Sequence, residues 1–214
     1  MRELYSYFRS SAAYRVRIAL ALKNLEYQAV PVHLLKDGGE QHGADYLARN
    51  PEGLVPAFSE NGLTFSQSLA IIEYLDEVYP AVPLLPAAPA CRARVRALAL
   101  LVACDIHPLN NLRVLRWLAH DMQVDKAARD AWYRHWITVG FQALEARLQS
   151  DQTGLFCQGD QPGLADCCLV PQVYNARRYH IDLSAWPAIA RITAHCETLP
   201  AFRAAHPDLQ PDAA

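Results

Sequence analysis

Two patterns of apolar and polar positions divide the chain. Up to about residue 80, short strand-like runs alternate with helical ones. "LYSYF" (4–8) predicts a strand. Residues 11–24 predict a helix, with Val16, Ala19, Leu20 and Lys23 recurring at helical spacing. "YQAVPVHL" (27–34) predicts a second strand, where Pro31 marks an edge or a bulge. A charged loop, "LKDGGEQHG", leads to a short helix near 43–48. "LVPAF" (54–58), "GLTFS" (62–66) and a helix from Gln67 to Tyr79 follow. The order β-α-β-α-β-β-α predicts a small mixed sheet with helices on its faces. After "PAVPLLPAAPA" (80–90) the pattern becomes helical throughout. Val95, Leu98, Val102, Ile106 and Leu109 mark one long helix. Trp132, Trp136, Val139, Ala143 and Leu144 mark another, and Leu169, Val173 and Ala176 a third. The expected organisation is an α/β domain over 1–80, a linker over 81–90 and an all-helical bundle over 91–214.

Composition narrows the class. The 214 residues are 52% hydrophobic and 20% charged, which suits a globular chain and excludes disorder. A net charge of −2 gives no broad basic surface, so nucleic acid is not an expected partner. "MRELYSYF" enters a strand with no signal-peptide core, and no apolar run is expected to reach the ~20 residues of a membrane span. A cytoplasmic address and no membrane partner follow as expectations. The six cysteines (Cys91, Cys104, Cys157, Cys167, Cys168 and Cys196) lack C-x-x-C spacing and read as small buried residues in a reducing compartment. The eight histidines are scattered, and no metal site is expected.

Chemistry concentrates at two helix starts. Arg9, Ser10 and Ser11 stand where the first strand hands over to a helix, and Gln67 and Ser68 open a second helix after a short strand. A helix start has unpaired N–H groups and a positive dipole end, so serines there either cap the helix or help it hold an anion. Val55-Pro56 reads either as punctuation or as a cis bond that leaves the Val55 backbone open to outside pairing. His107 precedes Pro108 within a helical pattern, and that proline must distort the helix by clashing with the carbonyl of Cys104. The distortion favours a cleft-lining role for His107, Asn110 and Asn111 over a core one.

Together "YSYFRSSAAYRVRIAL", "KDGGEQH", "NPEGLVPAF", "QSLAIIEYL", "CDIHPLNNLRVL", "LADCCLVPQVYNARRYHIDL" and the late "QPD" resemble the zeta class of glutathione transferases over essentially the whole chain. The resemblance implies a thioredoxin-like N-terminal domain joined to a helical bundle, with glutathione as cofactor. Its thiol would lie at Ser10 and Ser11, where a hydrogen bond and the helix dipole favour the thiolate. Val55, before cis-Pro56, would pair with the peptide backbone of glutathione. Gln67 and Ser68 would take the γ-glutamyl carboxylate, Gln41 would lie on the glycyl side, and His107 and Asn111 would approach from the helical domain. Arg9, Arg178 and, less directly, Arg113 would bind substrate carboxylates, with Arg177 able to exchange roles with Arg178.

Two departures from the class pattern stand out. Ala12 replaces a customary cysteine, which removes glutaredoxin-like thiol transfer at that position. Gly163 replaces a Ser or Thr that would open a capping box ending at Asp166. The implied activity is glutathione-dependent cis–trans isomerisation of maleylacetoacetate to fumarylacetoacetate, by reversible thiolate addition to the enedione. Maleylpyruvate isomerisation, conjugation or dehalogenation of α-halo acids, and a non-catalytic interaction role are the alternatives. The resemblance also implies a homodimer and a small dicarboxylate substrate.

Overall fold

The computed structural model of the chain describes residues 1–213. Contacts divide it into two units. The first comprises Met1–Leu84 and the residues from Thr198 on, and the second comprises Leu85–Glu197. The chain order in the first unit is β1 (Arg2–Ser6), α1 (Ser11–Leu22), β2 (Gln28–Pro31), α2 (Ala44–Arg49), β3 (Ala57–Glu60), β4 (Leu63–Ser66) and α3 (Ser68–Val78). This is the order expected from the alternation. The sheet runs β2-β1-β3-β4, with β1 parallel to β2 and antiparallel to β3, and β3 antiparallel to β4. Pro31 lies on the edge strand β2, where a missing N–H costs no ladder bond. Leu4 pairs with Phe58, and Phe58 with Phe65, which places the aromatic residues of the centre in one row across the sheet. Helix α1 is buried on nearly every face, including Val16, Ala19, Leu20 and the stem of Lys23. The Lys23 ammonium is satisfied by Asp76 at 2.8 Å and by the Tyr79 and Val82 carbonyls.

The sequence division placed everything from 91 to 214 with the helices. In the structure the residues from Thr198 on, including α9 (Pro200–Ala204), pack with the first unit instead. The buried Arg17 of α1 donates to the Ala205 carbonyl at 3.1 Å, and the Tyr14 ring meets His206 edge-on at 6.2 Å.

The second unit holds α4 (Pro89–Leu100), α5 (Leu112–His120), α6 (Lys126–Leu148), α7 (Leu164–Arg178) and most of α8 (Pro187–Thr198). Helix α4 begins inside the stretch read as linker, with Pro89 at its first turn. The expected single helix through Leu109 is broken. α4 widens into a π-helical stretch over Leu101–Ile106 and tightens into a 3₁₀ turn over His107–Asn110, in line with the distortion demanded by Pro108. The whole helical run Pro89–His120 is nevertheless long and apolar enough, by length and composition, to match a membrane span, contrary to the sequence expectation.

The stripe assigned to α6 also needs correction. Tyr133, Ile137, Phe141, Leu144 and Leu148 are its buried residues, whereas Trp132 and Trp136 are half-buried and Val139 and Ala143 exposed. Trp132 is drawn half-inward by its indole N–H, which donates to the Leu109 carbonyl at 2.7 Å. The stripe assigned to α7 is buried as expected. Asp166, buried, accepts from the N–H groups of Gly163 and Cys157, both at 2.9 Å, so half of the capping box survives the glycine. Burial raises its carboxyl pKa while those two N–H contacts oppose the shift. The reading of all six cysteines as buried fails at Cys104, which is exposed, and at Cys91, which is half-buried.

Candidate functional site

In the first unit, a four-residue turn carries the opening cluster. β1 ends at Ser6, and the Ser10 N–H closes the turn onto the Tyr7 carbonyl at 2.9 Å. Ser10 is the N-cap of α1, its hydroxyl oxygen accepting from the Ala13 N–H at 3.2 Å. Capping uses an oxygen lone pair and leaves the hydroxyl hydrogen able to donate elsewhere. Ser11 is buried at the first helical position. Arg9 folds back, donating to the Tyr7 hydroxyl at 3.0 Å with its guanidinium 5.0 Å from the Phe8 ring centre.

The second helix start is joined to the first by a residue that sequence reasoning missed. Arg15, buried one turn into α1, donates to the Ser68 hydroxyl at 3.2 Å. The N-terminal ends of α1 and α3 are thereby linked through a guanidinium. Gln67, the N-cap of α3, is held at φ 66°, ψ 112°, a conformation that costs a non-glycine residue roughly 1–3 kcal/mol and is kept only where the surroundings impose it. Glu52 imposes it, accepting from the Gln67 side-chain amide and from the Ser66 hydroxyl, each at 2.6 Å. Glu52 was also missed.

The same segment positions two further groups. The Val55-Pro56 bond is cis, and Val55 lies just outside the ladder, whose register begins at Ala57. Its side chain packs in a cluster with Tyr7 and Tyr46, while the Tyr46 hydroxyl and the Asn50 amide both hold the Leu54 carbonyl. Burial pushes the Tyr46 phenol up to about 12, so it remains a donor at any working pH. Gln41 is buried in the loop before α2. Its side-chain nitrogen is 3.0 Å from His42 Nε2, and its side-chain oxygen has no hydrogen-bond partner among the described residues. A Cβ at Gly53 would meet the Gln41 carbonyl at 3.4 Å, so Gln41 lies against the segment leading to Val55.

The first unit thus brings Ser10, Ser11, Gln41, Val55, Pro56, Gln67 and Ser68 into one connected set. The signal for Arg15 was present in "YRVRIALAL", where a charge interrupts a helix apolar on every other face. Glu52 had no comparable signal, because it meets Gln67 only through the fold. Chemically, two helix starts and a buried guanidinium suit a carboxylate, and a capping hydroxyl at a helix N-terminus suits a thiolate.

In the second unit, Asn111 is the N-cap of α5, its side-chain oxygen accepting from the Arg113 N–H at 3.0 Å, with its amide 3.5 Å from His107 Nε2. The capping bond accounts for one half of this amide. Arg113 is exposed. At the end of α7 the adjacent arginines differ. Arg177 forms a two-pronged pair with Glu197, while Arg178 is exposed and makes no ion pair among the described residues. No group of three or more His, Cys, Asp or Glu among the described residues is placed to hold a metal.

Residues 2–77 match the family model of the glutathione S-transferase N-terminal domain. Over 98% of this chain and 97% of the relative, the sequence is 52% identical to the probable maleylacetoacetate isomerase of Vibrio cholerae. Among solved structures, a holo maleylpyruvate isomerase, a bacterial zeta-class glutathione transferase, is 48% identical with a TM-score of 0.96, covering 99% of this chain and 100% of that one. The maleylacetoacetate isomerase of Methylobacterium extorquens, solved with bound malonate and glutathione, is 43% identical with a TM-score of 0.94 and covers 99% of each chain.

Proposed function

The chain belongs to the zeta-class glutathione transferases, and from that premise we propose that it is a glutathione-dependent cis–trans isomerase converting maleylacetoacetate to fumarylacetoacetate in aromatic amino acid breakdown. The observation that carries the reading is the Arg15–Ser68 hydrogen bond, which ties two helix N-termini into a single anion-binding element within one unit. The residues fit the tripeptide. Ser68, Gln67 and the two helix starts suit its γ-glutamyl carboxylate, the unpaired Gln41 oxygen suits a donor at its glycyl end, and Val55 stands outside the ladder as a backbone partner. The bound malonate and glutathione of the Methylobacterium enzyme support a dicarboxylate substrate.

When bound, glutathione supplies a thiolate whose reversible addition makes the cis double bond rotatable and whose departure restores it in the trans form. The chain's own residues then have separable tasks. Ser10 donates its hydroxyl hydrogen to the sulfur and, with the α1 dipole, favours the ionised thiol. Arg9 and Arg178 hold substrate carboxylates, for which a planar guanidinium fork is suited.

A second reading, maleylpyruvate isomerisation, is favoured by the 48% identity to the solved enzyme of that name. The same proposal includes a homodimer, supported by exposed apolar side chains of the second unit such as Leu100, Trp117 and Val139. It also includes a cytoplasmic address, supported by the free thiols of Cys91, Cys104, Cys157, Cys167 and Cys196.

The test is turnover of both substrates by purified protein, with glutathione followed by thiol titration. Glutathione should be required and fully recovered, and the larger kcat/KM names the substrate. Equal rates without glutathione would refute the reading, and stoichiometric thiol loss would point to conjugation.

A further inference from the structure

The late motif Gln210-Pro211-Asp212 belongs to the resemblance, yet the proposed chemistry leaves it without a task. In the structure its carboxylate reaches the turn that carries Arg9 and Ser10. The Phe8 N–H donates to Asp212 Oδ2 at 2.8 Å, across 204 residues of sequence. The other side of the same residue is held as well, since Arg17 donates from Nη2 to the Phe8 carbonyl at 2.9 Å. Arg17 is itself fastened to the returning tail, by Nε to the Ala205 carbonyl at 3.1 Å. Both backbone groups of Phe8 are therefore clamped, one by the tail directly and one through a buried guanidinium that the tail also holds.

Gln210 anchors its own segment locally, donating from its side chain to the Ala204 and His206 carbonyls at 3.0 and 2.9 Å. Asp212 extends beyond that anchor and spends a charge-assisted hydrogen bond on the turn. A turn whose central N–H and C=O are both fixed cannot flip its peptide planes, and the next two residues in the chain are Arg9 and Ser10.

We propose that Asp212 is a positioning residue for thiol activation, holding the Phe8 N–H so that the Ser10 hydroxyl and the Arg9 guanidinium keep their places. The inference rests on the glutathione reading above. Its test uses the full-length chain with Asp212→Ala and Asp212→Asn. Without glutathione, amide hydrogen exchange over residues 7–10 should be faster in Asp212→Ala. With glutathione, the midpoint of the thiolate absorbance against pH should rise by roughly one unit, a change of about tenfold in ionisation. kcat/KM should fall about tenfold near neutrality, and the loss should shrink as pH rises. Asp212→Asn keeps an acceptor oxygen and should recover most of both.

Unchanged exchange and an unchanged midpoint in Asp212→Ala would overturn the inference. So would a lowered melting temperature with a wild-type midpoint, which would mark the contact as fastening alone. A wild type with no glutathione-dependent thiolate band would sink the glutathione reading together with this inference. A normal wild-type band with an indifferent Asp212→Ala would sink the inference alone.

Discussion

At the scale of single residues, the two adjacent arginines of α7 make the substrate assignment testable. Arg177 is spent on Glu197, so Arg177→Ala should leave the dicarboxylate KM within about twofold, in keeping with the small worth of an exposed pair. Arg178→Ala should lower kcat/KM for the dicarboxylate by about ten- to a hundredfold, the loss of one charged contact worth ~1.5–3 kcal/mol, and barely change glutathione affinity. Lysine at 178 should restore part of it, because a point charge lacks the fork. Full activity in Arg178→Ala would make that arginine a surface charge.

Ser10→Ala combines two losses that separate by measurement. The missing cap at Ala13 should cost stability of ~0.5–2 kcal/mol in urea unfolding. The missing donor should raise the bound thiol pKa by about one to two units, so the activity deficit should narrow at higher pH. Ser11→Ala provides the comparison. A pH–rate profile unchanged from wild type in both variants would remove the serines from thiol activation.

At the scale of elements, Gly140 shows why α6 was misassigned. A Cβ at Gly140 would lie 2.2 Å from Ile106 Cγ1, so the π-helical stretch before Pro108 seats its isoleucine directly on the backbone of α6. Alanine is the better helix former by about 1 kcal/mol, yet Gly140→Ala should destabilise by roughly 1–3 kcal/mol through overpacking. Ile106→Ala in the same chain should relieve part of that strain. A Gly140→Ala variant as stable as wild type would show that the contact yields freely.

Periodicity made the elements of the first unit legible because each is short and switches period at a turn residue. It failed on α6, where Trp132 and Trp136 are apolar by composition and adjacent to the true stripe. The placement of Trp132 depends on an indole hydrogen bond to Leu109 that no spacing announces. The candidate site was legible where its residues stand at helix starts, as Ser10 and Ser68 do. Glu52, Arg17 and Asp212 were not, since each acts on a partner that only folding brings near.

At the scale of the whole molecule, the dimer is the first expectation to test. Sedimentation at micromolar concentration should give twice the 23.9 kDa of one chain, and replacing Trp117 by a charged residue should weaken association if the exposed apolar side chains of the second unit form the contact. A monomer at that concentration would end this part of the reading.

The return of the residues from Thr198 to the first unit bears on the order of events at the ribosome. The second unit is a continuous stretch and can be completed as soon as it emerges. The unit begun first is finished last, for Phe8 and Arg17 must wait for Asp212 and Ala205 to be made. At roughly 5–20 residues per second that interval is about 10 to 40 seconds. Throughout it the newborn site is held without its final clasp, so full activation of the bound thiol should wait until Asp212 has been made.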